Sequence, residues 1–246
     1  MIDQEQLSEF ERNGHLTIAE VFDEETIRSA LADVEAWSQE FLNSLPEDKR
    51  AWYLERNGSE NSQLRKLDEP VFHRDIFQQM ASSKRLVQIV EQLIGPGVNV
   101  FFSQVFCKPP EGGGPKPVHQ DNYYFGPDNP EATLTVWCAL DEATVENGCL
   151  FYGDGSHRGP IREHVAPDDQ PFNLQIPDEK TGDYKMTPAP VPAGGVSIHH
   201  GNTWHQSSSN LSKHARRAVA MHYLRNDAEL VRPALRYDPS VVVNVS

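Results

Sequence analysis

Apolar residues recur at helical spacing in the first third of the chain and at strand spacing after it. Residues 3–12 read as a short helix with Leu7 and Phe10 on its apolar side, stopped by Asn13-Gly14. His15 to Phe22 reads as a strand. Asp23-Glu24-Glu25 then caps an amphipathic helix running to about residue 43, whose buried stripe is Ile27, Ala30, Leu31, Val34, Trp37 and Phe41. Residues 44–65 are polar and turn-rich around Trp52 and Tyr53, and a second helical zone runs from Pro70 to Leu93, before Gly95-Pro96-Gly97.

Beyond Gly97 the period shortens. Strands are expected at Val98–Cys107, Leu134–Leu140, Cys149–Tyr152, Tyr184–Val191, Val196–His200 and Arg216–Arg225. Asn147-Gly148 reads as a hairpin turn joining the second of these to the third, and Gly148 and Gly155 read as positions of positive φ. Residues 158–183 are polar and irregular, the best candidate for a lid. Helices first and many short strands afterwards predict a mainly β fold with flanking helices, a sandwich or barrel. The expected organisation is a single domain over 1–246, with a helix-rich part (1–97) packed on a β core (98–246).

Charge narrows the partners. A net charge of −14 argues against nucleic acid and anionic membranes. No run approaches the roughly 20 apolar residues of a membrane span, and the acidic start MIDQEQLSEFERNG lacks the apolar core of a signal peptide. Three cysteines, Cys107, Cys138 and Cys149, without a CxxC pair, read as buried thiols in a reducing cytoplasm.

Candidate chemistry begins at His119-Gln120-Asp121. In extended chain, residues i and i+2 share a face, so an imidazole and a carboxylate emerge side by side. Alone the pair is common. His205, in Thr203-Trp204-His205-Gln206-Ser207, supplies the third member of a 2-His-1-carboxylate set, which leaves three positions open on an octahedral Fe(II). Strand parity adds an anion anchor. Along Arg216–Tyr223, Arg216 shares a face with Ala218, Ala220 and His222, small residues suited to a cavity wall. Arg217 shares the other with Val219, Met221 and Tyr223. Parity therefore selects Arg216 to hold a carboxylate and leaves Arg217 for a surface ion pair.

These residues sit in an ordered series of motifs: Asn13-Gly14, Lys108-Pro109-Pro110, Val118-His119-Gln120-Asp121, Val136-Trp137-Cys138-Ala139-Leu140 and Glu146-Asn147-Gly148-Cys149-Leu150. Gly155-Ser156-His157, His200-Gly201, His205-x-Ser207-x-x-Asn210 and Arg216 continue it. The series resembles the phytanoyl-CoA dioxygenase (PhyH-like) family of Fe(II)/2-oxoglutarate-dependent oxygenases. The resemblance covers most of the chain. It implies a double-stranded β-helix (a cupin-like jelly roll), with iron on His119, Asp121 and His205 and the distal carboxylate of 2-oxoglutarate on Arg216. It further implies cosubstrate contacts from Lys66, Gln104 and Ser207, and Trp137 lining the site. Where many relatives read Pro-Gly-Ser-His, this chain has Asp154-Gly155-Ser156-His157. His157, His199, His200 and His222 are read as structural.

The implied reaction couples O2 and the conversion of 2-oxoglutarate to succinate and CO2 to oxidation of a substrate C–H bond. Halogenating relatives replace the carboxylate with a small residue, so Asp121 favours hydroxylation, with desaturation or ring closure also open to this chemistry. The expected substrate is a small metabolite. Trp52, Tyr53, Arg56, Tyr123, Tyr124, Phe125, Trp137, Tyr152 and Trp204 are candidates to line its pocket. Two alternatives stand beside this: a non-catalytic jelly-roll binding protein, and a cupin-type metal dioxygenase that uses no 2-oxo acid. Oligomeric state is not readable from the chain.

Overall fold

The computed structural model describes residues 1–55, 63–167, 173–231 and 243–246. Helix α1 (Gln4–Asn13) starts with a capping box in which Asp3 and Gln6 satisfy each other's backbone N–H, and Gly14 closes it at φ 78°. Strand β1 (His15–Ile18) is shorter than expected, because the chain then turns and Val21 and Phe22 donate to the Gly194 carbonyl. Helix α2 (Glu24–Ser44) is capped by Asp23, which accepts from the Thr26 N–H. It buries Ile27, Ala30 and Val34. The one-turn α3 (Arg50–Tyr53) and strand β2 (Lys66–Asp68) follow.

The second helical zone is not continuous. It forms α4 (Pro70–His73), α5 (Asp75–Ala81) and α6 (Lys84–Ile94). The first break is at Arg74, held extended (φ −135°, ψ 118°), with its guanidinium gripping both oxygens of Asp33 on α2 at 2.9 and 3.0 Å. A tertiary ion pair thus overrides local helix propensity.

The β strands are β3 (Val98–Lys108), β4 (Lys116–His119), β5 (Thr133–Ala139), β6 (Leu150–Gly153), β7 (Met186–Ala189), β8 (Val196–His200), β9 (His205–Ser207), β10 (Arg216–Arg225) and β11 (Val243–Asn244). A short helix α7 (Asp121–Phe125) separates β4 from β5. One antiparallel sheet runs β1-β8-β5-β10-β3-β11, with β2 also on β3; the other runs β4-β9-β6-β7. The fold is the mainly β, double-stranded β-helix (jelly-roll) architecture with flanking helices.

Strand parity divides the core. Val136, Cys138, Val196, Ile198, Val219, Met221 and Tyr223 pack outward against Ile27, Ala30, Val34, Leu86 and Val90 of the helices. Trp137, Ala139, Ala218 and Ala220 face the other way, toward Leu150 and Tyr152 of the smaller sheet. The space between the sheets is where the candidate site lies.

One turn is corrected. Gly148 and Gly155 do adopt φ of 91° and 75°. Asn147-Gly148, however, does not make a hairpin, since β5 and β6 belong to different sheets. Thr144 and Asn147 close a turn on each other (2.8 and 3.3 Å) that carries the chain from the larger sheet to the smaller.

Candidate metal and cosubstrate site

Strand β4 ends at His119, and Asp121 already begins α7, so the pair does not lie wholly in a strand. Gln120 between them is extended (φ −124°, ψ 131°), which keeps the i/i+2 geometry. His205 opens β9 and is the direct register partner of His119. One ligand atom from each of His119, Asp121 and His205 lies within 4.8 Å of the others, the one such cluster among the described residues.

The remaining polar atoms of the three residues are tied back into the protein. Nδ1 of His119 donates to the Pro117 carbonyl (2.7 Å), and Nδ1 of His205 to the Thr203 carbonyl (3.0 Å). Both bonds fix the tautomer that leaves the Nε2 lone pair available. Oδ2 of Asp121 accepts from Thr135 Oγ1 (2.6 Å) and His199 Nε2 (3.0 Å). Oδ1 remains, 3.9 Å from Nε2 of His119 and 3.6 Å from Nε2 of His205.

Electrostatics match this donor set. Burial, then the charges of His205 and Lys116, hold His119 well below its ordinary pKa. Burial and His199 push His205 down to about 3. Burial alone would raise Asp121, but His205, His199 and His222 outweigh it and hold the carboxyl well below its usual range. Two neutral imidazoles and one carboxylate suit Fe(II).

A further layer of support was not visible in the sequence. His199 receives Tyr152 Oη (3.1 Å), which also meets Ser197 Oγ (2.8 Å). Thr135 Oγ1, besides donating to Asp121, bonds His222 Nδ1 (2.8 Å). His199 and His222 thus orient the Asp121 carboxylate, a role beyond simple packing. Thr135→Val is expected to weaken divalent-metal binding by about 10- to 100-fold while the three ligand side chains remain. Anaerobic metal titration would measure it, and an unchanged affinity would remove Thr135 from the site's support.

Arg216 is 2% exposed, and its Nε and Nη1 have no hydrogen-bond partner. The guanidinium stacks 5.2 Å above the ring of Trp137. Burial lowers its pKa to about 10, so it stays charged at neutral pH. A buried, charged and under-bonded fork has the donor geometry that suits a carboxylate. Arg217, on the other face, is spent on a bidentate pair with Asp141 (2.8 and 2.9 Å). Ser207, buried, lies on β9 two residues beyond His205.

Lys66 and Gln104 come together, on Asp68. Lys66 Nζ is 3.0 and 3.1 Å from its two oxygens, and Gln104 Nε2 donates to Oδ1 at 2.6 Å. Tyr53 Oη donates to the same carboxylate (2.9 Å), and Lys66 lies 5.0 Å from the Trp52 ring. Of the other pocket candidates, Phe125 packs with Phe101 and Phe102, and Trp204 with Val118 and Ile176. Both are core residues, while Tyr124 sits edge-on to His119 (5.8 Å). Arg56 lies outside the described residues.

The described part of segment 158–183 is pinned to β4 and Gln120; residues 168–172 lie outside the described residues. The Gln120 amide donates to the Pro160 carbonyl (3.4 Å) and accepts from the Arg162 N–H (2.8 Å). His164 Nε2 accepts from the Gln120 N–H (2.9 Å), and its ring stacks on Tyr123 at 4.1 Å. That bond requires an unprotonated Nε2, and burial pushes His164 down to about 4. With a folded pKa below the unfolded value of about 6.5, its contribution is present above that value and lost as pH falls toward 4. The urea midpoint of wild type should therefore fall across this window more steeply than that of His164→Gln; parallel profiles would deny the coupling.

Comparisons with known proteins bear on the family and the fold. A family model described as phytanoyl-CoA dioxygenase (PhyH) matches residues 10–218. A probable alpha-ketoglutarate-dependent hypophosphite dioxygenase of Stutzerimonas stutzeri is 27% identical over 91% of this chain and 79% of its own. The phytanoyl-CoA dioxygenase domain-containing protein 1 of Rattus norvegicus is 31% identical over 62% of this chain, and the match spans only 54% of that relative's length. Among solved structures, the non-heme alpha ketoglutarate dependent carbocyclase SnoK superposes with a TM-score of 0.77 at 23% identity, over 100% of this chain and 97% of its own. EctD from S. alaskensis with bound Fe gives 0.77 at 20% identity, over 96% and 82%.

Proposed function

The chain belongs to the phytanoyl-CoA dioxygenase family and is an Fe(II)- and 2-oxoglutarate-dependent oxygenase; from that premise we propose that His119, Asp121 and His205 hold the iron, that Arg216 takes the distal carboxylate of 2-oxoglutarate, and that the enzyme hydroxylates a C–H bond of a small metabolite. One observation carries the residue assignment. Nε2, Nε2 and Oδ1 converge while Nδ1, Nδ1 and Oδ2 are each tied back to the protein.

When bound, Fe(II) with 2-oxoglutarate and O2 supplies the oxidising power, and the cosubstrate leaves as succinate and CO2. The residues of the chain supply position and charge. Pro117 and Thr203 hold the two imidazoles in one tautomer, and Thr135 and His199 hold the carboxylate. Arg216 gives a long-range anchor that sets the orientation of the 2-oxo acid, with Trp137 beneath it and Ser207 as a second donor. Lys66 and Gln104 act beside this anchor through the network on Asp68. The described parts of the segment, 158–167 and 173–183, serve as the lid that excludes water, with Pro160, Arg162 and His164 tied through Gln120 to the metal-binding strand.

One domain over 1–246 performs this work, on a small molecule and without nucleic acid or membrane. The structural relatives are in keeping: the epimerase SnoN has been solved in complex with nogalamycin RO, and EctD from S. alaskensis with 5-hydroxyectoine. No helix among the described residues is long and apolar enough to cross a membrane. The cysteines are free, which fits a cytoplasmic setting.

The test is aerobic turnover of 2-oxoglutarate. Succinate should form only when Fe(II) and 2-oxoglutarate are both present, slowly alone and faster with an accepted metabolite. Metal-loaded, folded protein that forms no succinate under any metabolite would defeat the reading.

A further inference from the structure

Three motifs of the series stand outside the triad and its supports: Lys108-Pro109-Pro110, Glu146-Asn147-Gly148 and Asn210. They meet at one side chain. Lys108 ends β3, and its register partner on β10 is Arg216. Residues directly opposite on antiparallel strands share a face, so the lysine stands beside the arginine on the inward face.

Lys108 is 6% exposed. Its Nζ donates to the carbonyls of Gly114 and Ser208, the second at 2.7 Å. Its own carbonyl accepts from Asn210 Nδ2 (3.0 Å), which also reaches the His214 carbonyl (2.8 Å). The Asn210 N–H donates to the Gly113 carbonyl (2.9 Å), and the Leu211 N–H to that of Glu146 (3.0 Å). Two glycines clear the path of the lysine stem. A Cβ on Gly113 would lie 2.6 Å from Lys108 Cβ; one on Gly148, at φ 91°, would lie 3.0 Å from Lys108 Cδ and 2.6 Å from the Ser208 oxygen.

The bracket has a definite target. Ser207 ends β9 and Arg216 opens β10, so the loop held by Lys108 and Asn210 is the one that spaces those two donors. Burial and the charge of Arg216 push the Lys108 pKa down to about 6. The neutral amine still offers two N–H groups to the two carbonyls, so the bracket does not depend on charge. We propose that Lys108 is a positioning residue for the cosubstrate: it fixes the loop between Ser207 and Arg216, and with it the geometry in which both meet the distal carboxylate of 2-oxoglutarate. The proposal rests on the reading of Arg216 above.

The experiment is an anaerobic titration of Fe(II)-loaded protein with two acids, each followed by visible absorption. One is 2-oxoglutarate. The other is 2-oxovalerate, which keeps the 2-oxo acid and the chain length but ends in a methyl group. Wild type should prefer 2-oxoglutarate, and Arg216→Ala should lose that preference. Lys108→Met keeps the stem without its donors. It should weaken 2-oxoglutarate by about tenfold or more and 2-oxovalerate by no more than about threefold. A lysine that serves the fold alone would change both acids alike or neither. Near-ultraviolet circular dichroism checks the fold; if Lys108→Met does not fold, Lys108→Gln is read in its place. The proposal is overturned if the folded variant keeps the wild-type preference, or if it weakens both acids alike. If Arg216→Ala keeps the preference, the anchor reading fails and the proposal falls with it. Loss of preference in Arg216→Ala but not in Lys108→Met overturns the role of Lys108 alone.

Discussion

His119→Ala is expected to abolish 2-oxoglutarate-dependent succinate release while the protein stays folded. The ring makes one hydrogen bond, to the Pro117 carbonyl, an edge contact with Tyr124 and a tilted ring contact with His205 at 4.0 Å. Its structural share is therefore small, and the thermal midpoint should drop by only a few degrees, on the order of 1–2 kcal/mol. In the proposed metal site it is one ligand of three. Loss of an orienting partner of a ligand costs about 10- to 100-fold in metal affinity, and loss of the ligand itself should exceed that. Asp121→Ala is a poorer test, since the carboxylate also satisfies Thr135 and His199 in the core. Succinate assays paired with thermal melts read both quantities; retained turnover in folded His119→Ala would remove His119 from the metal.

The second large effect separates two adjacent arginines. Removing one partner of a buried, hydrogen-bonded charge pair costs about 2–5 kcal/mol, so Arg216→Ala should raise the Kd for 2-oxoglutarate by about 30- to several thousand-fold. Without cosubstrate the same change takes away a buried guanidinium whose Nε and Nη1 are unpaired. The apo variant should then unfold no earlier than wild type, and the stabilisation that 2-oxoglutarate confers on wild type should vanish. Arg217→Ala breaks an ion pair whose side chains are 27% and 20% exposed. It should cost about 1 kcal/mol of stability and leave 2-oxoglutarate binding unchanged. Equal effects of the two variants on binding would contradict the assignment of the inward face of β10.

Much of this was legible before folding, where the signal is local. The alternation along Arg216–Arg225 separated the two arginines, and the structure places Arg217 on Asp141 and Arg216 over Trp137. The dyad His119/Asp121 was legible because the extended Gln120 keeps i and i+2 together. Helices α1 and α2 were legible from their caps and apolar stripes. The rest depends on which strands become neighbours. Thr135 and His199 reach the carboxylate from two different strands, and Tyr152 on a third supports His199. Lys108 acquires its meaning from the register opposite Arg216. The break at Arg74 needed Asp33 on another helix, and the assignment of β5 and β6 to separate sheets needed the whole topology. Asn147-Gly148 carries a hairpin signal, yet the pairing preference of the flanking strands for β8, β10, β7 and β9 decides its use.

The central claim is that the triad and Arg216 together make one site for Fe(II) and 2-oxoglutarate. The most direct measurement is an anaerobic titration of Fe(II)-loaded protein with 2-oxoglutarate, followed by visible absorption. A weak charge-transfer band should grow and saturate in wild type, vanish in His119→Ala, and need far more 2-oxoglutarate in Arg216→Ala. Folded wild-type protein that binds iron and develops no band would contradict the account.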